Sequence, residues 1–371
     1  MKITGGMVFD LKEGFVRRDL CFDGAVIAPD GGDGEVYDAN RCYVIPGLTD
    51  IHFHGCKGAD FSDGDPDGLA LMAKYELSRG VTQICPAGMT LPEEQLLKIC
   101  RTAAEHRRAG RAGAELVGVN LEGPFLSEAK RGAQKGAWLR APDIKLLRRL
   151  MEASGGLVKL ASVAPELPGA LEFVREASRE VTVAIAHTAA DYDTAMAALN
   201  AGAREITHLF NAMSPFAHRA PGVVGAAADF PDCRVELICD GVHIHPAVVR
   251  AVFRLFGPDR VVLISDSIRG TGMPDGRYTL GGQAVTVRGA VAALADGTIA
   301  GSVTDLMGCL CKAVSFGVPL ADAVRAAAVN PAQAIGVFDR AGSLDPGKRA
   351  NAAVLDEGLE LKAVFFNGRL V

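Results

Sequence analysis

The chain has 371 residues, 49% of them apolar, too many for one ordinary domain and ample for a large barrel with a satellite. A net charge of −5 offers no basic face, which argues against a nucleic-acid partner. No apolar run approaches the ~18 residues of a membrane helix, and Met1-Lys2-Ile3-Thr4-Gly5-Gly6 lacks a signal-peptide core.

The nine cysteines are scattered without zinc-knuckle spacing and fit reduced thiols in a cytoplasm. Cys309 and Cys311 fall inside a helical pattern and read as small core residues. Residues 1–44 alternate apolar and polar in short runs such as Met7-Val8-Phe9 and Leu20-Cys21-Phe22. Turn clusters, notably Asp30-Gly31-Gly32-Asp33-Gly34, separate them. The last residues behave alike, with Ala352-Ala353-Val354-Leu355 and Ala363-Val364-Phe365-Phe366. Residues 1–44 and 343–371 are therefore expected to pair as one small β-sandwich domain, leaving 45–342 inserted between them.

The middle alternates strand and helix. Strand-like runs fall at 44–53, 81–87, 115–121, 157–163, 181–186, 205–209, 234–239 and 260–264. Between them, Asp65-Pro66 opens a helix and Gly80 closes it. Thr90-x-x-Glu93 matches a capping box before Leu96 and Leu97. Ile144, Leu147, Leu150 and Met151 make one apolar stripe. Val249, Val252, Phe253 and Phe256 make another, bounded by Pro246 and Gly257. Eight strands with helical crossovers predict a (β/α)8 barrel rather than an open doubly wound sheet. A β excursion on the barrel rim is expected at 278–299. Two helices, 306–316 and 320–329, should finish the unit, the second stopped by Asn330-Pro331.

The ionisable residues that interrupt these runs cluster at the strands' C-terminal ends, where barrel enzymes keep their chemistry. The first strand ends Asp50-Ile51-His52-Phe53-His54, and residues two apart share a face, so both histidines point inward. The third ends on Glu122 before Gly123-Pro124, the fifth on His187, the sixth on His208 and Asn211. The seventh leads to Asp240 and His243, and the eighth to Asp266. Five of the eight histidines are in this set. A carboxylate at the mouth of a buried strand is costly unless a cation or donors meet it.

Imidazoles with a carboxylate suit zinc, iron or a similar divalent ion, and two His with one Glu leave a position open for water. A lone strand-end histidine is usually just hydrogen-bonded. Glu122, His187 and His208 together, at three separate mouths, have no common structural reason and are expected to hold a metal. His52 and His54 read either as ligands of a second ion or as donors behind the first. Asp266 reads as a proton-transferring acid, against a structural cap of its loop. Arg219, between Asn211 and a Pro-Gly turn, reads as an anion binder or a solvated loop charge.

These residues sit in segments that resemble the amidohydrolase superfamily and, more narrowly, the N-acetylglucosamine-6-phosphate deacetylase family, over nearly the whole chain. They include Pro46-Gly47-Leu48-Thr49-Asp50-Ile51-His52-Phe53-His54-Gly55 and the far more telling Leu121-Glu122-Gly123-Pro124-Phe125-Leu126 and Thr207-His208-Leu209-Phe210-Asn211-Ala212-Met213. Ala186-His187-Thr188, Asp240-Gly241-Val242-His243, Ile264-Ser265-Asp266 and Ala300-Gly301-Ser302 complete the set. The resemblance implies removal of acetate from a small phosphosugar amide, with Glu122, His187 and His208 on the principal metal. His52 and His54 would add a second ion, and Asp266 would move the proton. Ala133, Gln134, Asn211, Ala212, Arg219, His243, Ile299, Ala300 and Gly301 match positions that bind sugar or phosphate. It also implies a homodimer in which Arg219 reaches the neighbour's phosphate. Gln134 is a departure, standing where many relatives carry a histidine that polarises the substrate carbonyl. The loop with Arg269 is less apolar than usual, and Arg269 reads as a rim charge.

Three rivals remain. A cyclic-amide hydrolase would carry a carboxylated lysine at the end of strand four, whereas Lys159 lies near its beginning. A silent phosphosugar-binding regulator would have lost Asp266 or a ligand, and neither is lost. A galactosamine 6-phosphate enzyme is not separated from the glucosamine one by these residues.

Overall fold

The computed structural model describes residues 1–31 and 34–371; Gly32 and Asp33, in the first turn cluster, lie outside the described residues. Eight barrel strands follow in order: Leu48–Asp50, Val81–Ile84, Val119–Phe125, Val158–Val163, Thr182–Ile185, Glu205–Ile206, Arg234–Ile238 and Val261–Ile264. They are parallel and buried on both faces, which is why they read as apolar runs rather than alternating ones.

The ring is hydrogen-bonded as two arcs. Val81–Ile84 pairs with Leu48–Asp50 and Glu115–Leu116, while Ala87–Gly88 starts a seven-stranded sheet ending at Val261–Ile264. Pro86, without an N–H, stands where the second strand changes arcs. The ring closes at the C-terminal end, where Asp266 N–H donates to the His52 carbonyl (2.9 Å) and His54 N–H to the Ser267 carbonyl (2.7 Å).

At the opposite end the first and last strands are wedged by the final helical segment, contrary to the expected stop at Asn330-Pro331. The helix from Leu320 runs on to Ala334 through a widened turn, in which Asn330 N–H reaches back to the Arg325 carbonyl. Such a bulge accommodates a proline, which has no N–H to place in the ladder. The Asn330 side chain donates to the carbonyls of Val261 (2.6 Å) and Pro258 (2.7 Å). Ala332, Ile335 and Val337 beyond it join Ile51, Val262 and Ile264 in one buried cluster.

The run at 44–53 is also divided. Cys42–Pro46 pairs antiparallel with Ala352–Asp356, and only after Gly47 does the chain enter the barrel. A Cβ on Gly47 would lie 2.2 Å from Thr82 Oγ1, so any larger residue at the crossing would have to displace Thr82. The chain ends do pair: one six-stranded sheet holds Met7–Asp10, Cys42–Pro46, Ala352–Asp356 and Leu361–Phe366, and a four-stranded sheet packs on it. Alternation sorts the larger sheet's residues between two cores. Val8, Val44, Val354 and Phe365 face the smaller sheet, while Phe9, Ile45, Leu355 and Val364 join the barrel's core. The two layers are thus bound through apolar contact on both faces.

The helix opened by Asp65 is capped as its spacing requires: the Asp65 carboxylate accepts from the Asp67 and Gly68 N–H groups. The expected capping box does not form. Helix Glu93–Ala109 begins after Pro92, and Thr90 is drawn instead to the barrel mouth, its N–H donating to Gln134 Oε1 at 2.7 Å. Gly276–Leu280, Gln283–Arg288 and Val291–Ala293 form a three-stranded antiparallel sheet, from which Leu280 reaches the mouth and Gln283 Nε2 donates to the Ala133 carbonyl. All nine cysteines are free; Cys309 is fully buried and Cys311 half-buried.

Candidate metal-dependent active site

Three of the strand-end residues take a left-handed backbone: His187 at φ +44°, His208 at +28° and Asp266 at +49°. For non-glycine residues this costs about 1–3 kcal/mol each and persists only where the surroundings over-determine it. Here it turns each side chain off its strand and over the mouth. They meet in a cavity of about 320 Å³.

Glu122 is at the centre. Its Oε1 lies 3.1 Å from His187 Nε2 and 3.0 Å from His208 Nε2, and the two nitrogens are 3.1 Å apart. Ligands of a tetrahedral ion with bonds of about 2.0–2.1 Å are separated by about 3.3 Å. The triangle therefore fits a zinc-like divalent ion by separation as well as by donor type. The other oxygen, Oε2, faces His54 Nε2 at 3.3 Å, and His54 Nε2 is 3.3 Å from Asp266 Oδ1. His52 Nε2 lies 3.4 Å from Glu122 Oε1 and 3.9 Å from Asp266 Oδ1. Two groups able to hold an ion result, Glu122 with His187 and His208, and His52 with His54 and Asp266.

Electrostatics agree with a site built for cations. Burial works to raise the Glu122 carboxyl, but the charge of His52 and hydrogen bonds from His187 and His208 hold it well below the usual range. Burial likewise opposes ionisation of Asp266, and its bond to His54 with the charges of His52 and His54 prevails, leaving it lowered. The histidines move the other way. Burial lowers His54, yet its bonds to Asp266 and Glu122 push it up to about 10; Glu236 and Glu122 similarly hold His52 well above its ordinary value. A divalent ion needs these imidazoles neutral, so its binding there competes with protons.

The remote ring nitrogens are fixed from behind. His187 Nδ1 meets the Lys130 carbonyl at 2.9 Å, His54 Nδ1 the Ala87 carbonyl at 3.0 Å, and His52 Nδ1 the Glu236 carboxylate at 2.9 Å. Each contact leaves Nε2 for the cavity side. Glu236 escaped the sequence reading because it lies within strand Arg234–Ile238 rather than at its end. Its signal was a glutamate inside an apolar run, costly unless answered. Asp50, the last residue of Leu48–Asp50, was also not singled out; its Oδ1 accepts the His52 N–H at 3.1 Å.

Most of the other expected residues line the same cavity: Ala133, Gln134, Asn211, Ala212, His243, Ile299 and Gly301, joined by the unforeseen Met89, Leu280 and Thr298. Asn211 donates its amide to the His208 and Leu209 carbonyls, leaving its oxygen free to face a ligand. His243 is anchored at Nδ1 by Asp240 Oδ2 at 2.8 Å; burial lowers it, but that bond outweighs burial and raises it. Gln134 does not aim at open space: it accepts from Thr90 N–H and donates to Glu122 Oε2 at 2.6 Å.

Two expected residues are not brought in. Ala300 is fully buried and its N–H is taken by the Ala292 carbonyl at 3.0 Å. Arg219 is exposed and borders a separate surface depression with Tyr192, Pro215 and Pro221. Arg269 forms a rim ion pair with Asp63 (2.9 Å) and Asp60 (3.3 Å). Lys159 is the second residue of Val158–Val163, at the end of the strand away from the site.

Comparison with known proteins follows this geometry. A sequence model of the amidohydrolase family matches residues 43–371. The N-acetylglucosamine-6-phosphate deacetylase of Bacillus subtilis (strain 168) is 37% identical over 332 residues, 88% of this chain and 84% of that protein. The N-acetylgalactosamine-6-phosphate deacetylase of Escherichia coli O157:H7 is 34% identical over 350 residues, covering 94% and 93%. Among solved structures, an aspartate-to-alanine mutant of the Mycobacterium smegmatis N-acetyl-D-glucosamine-6-phosphate deacetylase, in complex with N-acetyl-D-glucosamine-6-phosphate, superposes with a TM-score of 0.93. It is 35% identical over 100% of this chain and 98% of that one. The chain belongs to the amidohydrolase family, in the branch that holds the N-acetylhexosamine 6-phosphate deacetylases.

Proposed function

We propose that this protein hydrolyses the acetamide of N-acetylglucosamine 6-phosphate, releasing acetate and glucosamine 6-phosphate. The observation that carries this reading is Glu122 Oε1 within 3.1 Å of two imidazole nitrogens, with Asp266 on the same cavity. Glu122, His187 and His208 would hold one divalent ion, zinc by donor set, with iron or another divalent ion as the alternative. His52 and His54 would hold a second. When bound, such an ion lowers the pKa of a water and polarises a carbonyl.

The chain's own groups supply the rest. Asp266, its Oδ1 3.3 Å from His54 Nε2, takes the proton of the attacking water as the new C–O bond forms. It returns that proton to the amide nitrogen, which cannot leave as an anion, and the C–N bond breaks. Asn211, Ala212, His243, Ile299 and Gly301 surround the sugar. Gln134 holds Glu122 rather than the substrate carbonyl. Arg219, exposed and outside its own cavity, would anchor the phosphate of a second copy in a homodimer, its planar fork matched to that group. Residues 47–342, from the Gly47 crossing rather than from 45, would form the catalytic unit and the two chain ends one supporting unit. Nine unpaired cysteines support a cytoplasmic setting.

Acetate release from the glucosamine and galactosamine 6-phosphate substrates and from unphosphorylated N-acetylglucosamine tests the reading. The first should be turned over fastest and the last poorly. The Escherichia coli relative makes the galacto substrate the second reading, and faster turnover of it would replace the first.

A further inference from the structure

We infer that Glu236 is a positioning residue that makes His52 a strong ligand and so stabilises a second divalent ion at His52, His54 and Asp266; this rests on the two-ion reading above. Glu236 lies inside the barrel strand Arg234–Ile238, fully buried between Val235 and Leu237. Its Oε1 has no hydrogen-bond partner among the described residues. An apolar residue of similar size would occupy this place more cheaply, so the carboxylate needs a reason to be there.

The reason is on its other oxygen. Oε2 lies 2.9 Å from His52 Nδ1 and accepts the backbone N–H of His208 at 3.2 Å. Through Nδ1 it directs His52 Nε2 toward Glu122 Oε1 and Asp266 Oδ1. The other ligand rings backed in this way lean on neutral carbonyls, Lys130 for His187 and Ala87 for His54. Among the four candidate histidine ligands, only His52 has an acid behind its ring in the described residues. A carboxylate behind an imidazole raises its basicity and hence its grip on a cation. One side chain also touches a member of each ion-holding group, His52 by its ring and His208 by its backbone.

The test uses the full chain, stripped with a chelator and titrated with zinc against a competing indicator, with bound metal counted by elemental analysis. Wild type should take up two ions. Glu236→Leu should bind the first ion within a few-fold of wild type and the second roughly 10–100-fold more weakly. Glu236→Gln, which keeps an acceptor oxygen, should fall between. In a His52→Ala background, Glu236→Leu should cause no further loss of ion affinity, because its partner is gone. Thermal unfolding of the metal-free proteins controls for folding, because Glu236→Leu also leaves the His208 N–H without its acceptor: the variant should remain folded at the titration temperature, so that selective loss of the second ion is not a loss of structure. Unchanged affinity for the second ion, equal weakening of both ions, or further loss in the His52→Ala background overturns the inference while leaving the two-ion reading standing. A wild-type chain that takes up one ion overturns both.

Discussion

The amide of Gln134 donates to Glu122 Oε2 at 2.6 Å while its oxygen accepts the Thr90 N–H at 2.7 Å. A buried glutamine thus clamps the carboxylate of the first ion-holding group on the oxygen that faces His54 of the second. Gln134→Ala leaves Oε2 without this donor and Glu122 free to rotate. Metal affinity should fall by about 10–100-fold, as for other outer partners of ligands, and acetate release should fall with it at limiting metal. Titration with zinc against a competing indicator checks this. Affinity equal to wild type would mean that the histidines alone orient Glu122.

Asp266→Asn tests proton transfer apart from binding of the principal ion. Glu122, His187 and His208 are untouched, so the principal ion should remain, counted by elemental analysis. Turnover should drop by about 10²–10⁴-fold, the usual contribution of a positioned acid-base group. Activity near wild type would remove Asp266 from the mechanism.

Arg219 makes a prediction about assembly. Arg219→Ala should raise KM for the phosphorylated substrate and leave the unphosphorylated sugar unaffected. If each Arg219 serves a neighbouring copy, mixing Arg219→Ala with Asp266→Asn protein under conditions of subunit exchange should, at phosphorylated substrate well below the raised KM, give more activity than the two proteins show separately. Mixed dimers then contain a site with an intact Asp266 facing an intact Arg219. An absence of complementation in a proven mixed dimer would place Arg219 outside the site.

Asn330 ties the last barrel strand to the terminal helical segment through the Val261 and Pro258 carbonyls. Asn330→Ala leaves both acceptors buried without that donor and should cost about 1–3 kcal/mol for each group left unsatisfied. Denaturant unfolding measures the loss, and a change within error would show that these carbonyls find other partners.

The parts of the site that were legible in the amino-acid order share one feature. His52, His54, Glu122, His187, His208 and Asp266 all break apolar runs at their C-terminal ends, and barrel geometry alone brings such positions together. Glu236 sits within a strand, where a polar residue reads as part of the wall until its partner is known. Arg219 was legible as a candidate anion binder, but not its distance from the cavity, because loop direction leaves no periodic trace. Local rules failed where tertiary contacts outbid them: Thr90 matches a cap yet turns to Gln134, and Pro331 matches a stop yet rides a widened turn into the barrel floor. The run at 44–53 looked like one strand because both layers demand apolar residues on either side of Gly47.

Anomalous diffraction from crystals of the zinc-loaded protein tests the central claim most directly. The account predicts a peak about 2.0–2.2 Å from Glu122 Oε1, His187 Nε2 and His208 Nε2. A loaded crystal with no density among those three atoms, and its zinc bound elsewhere, would contradict it.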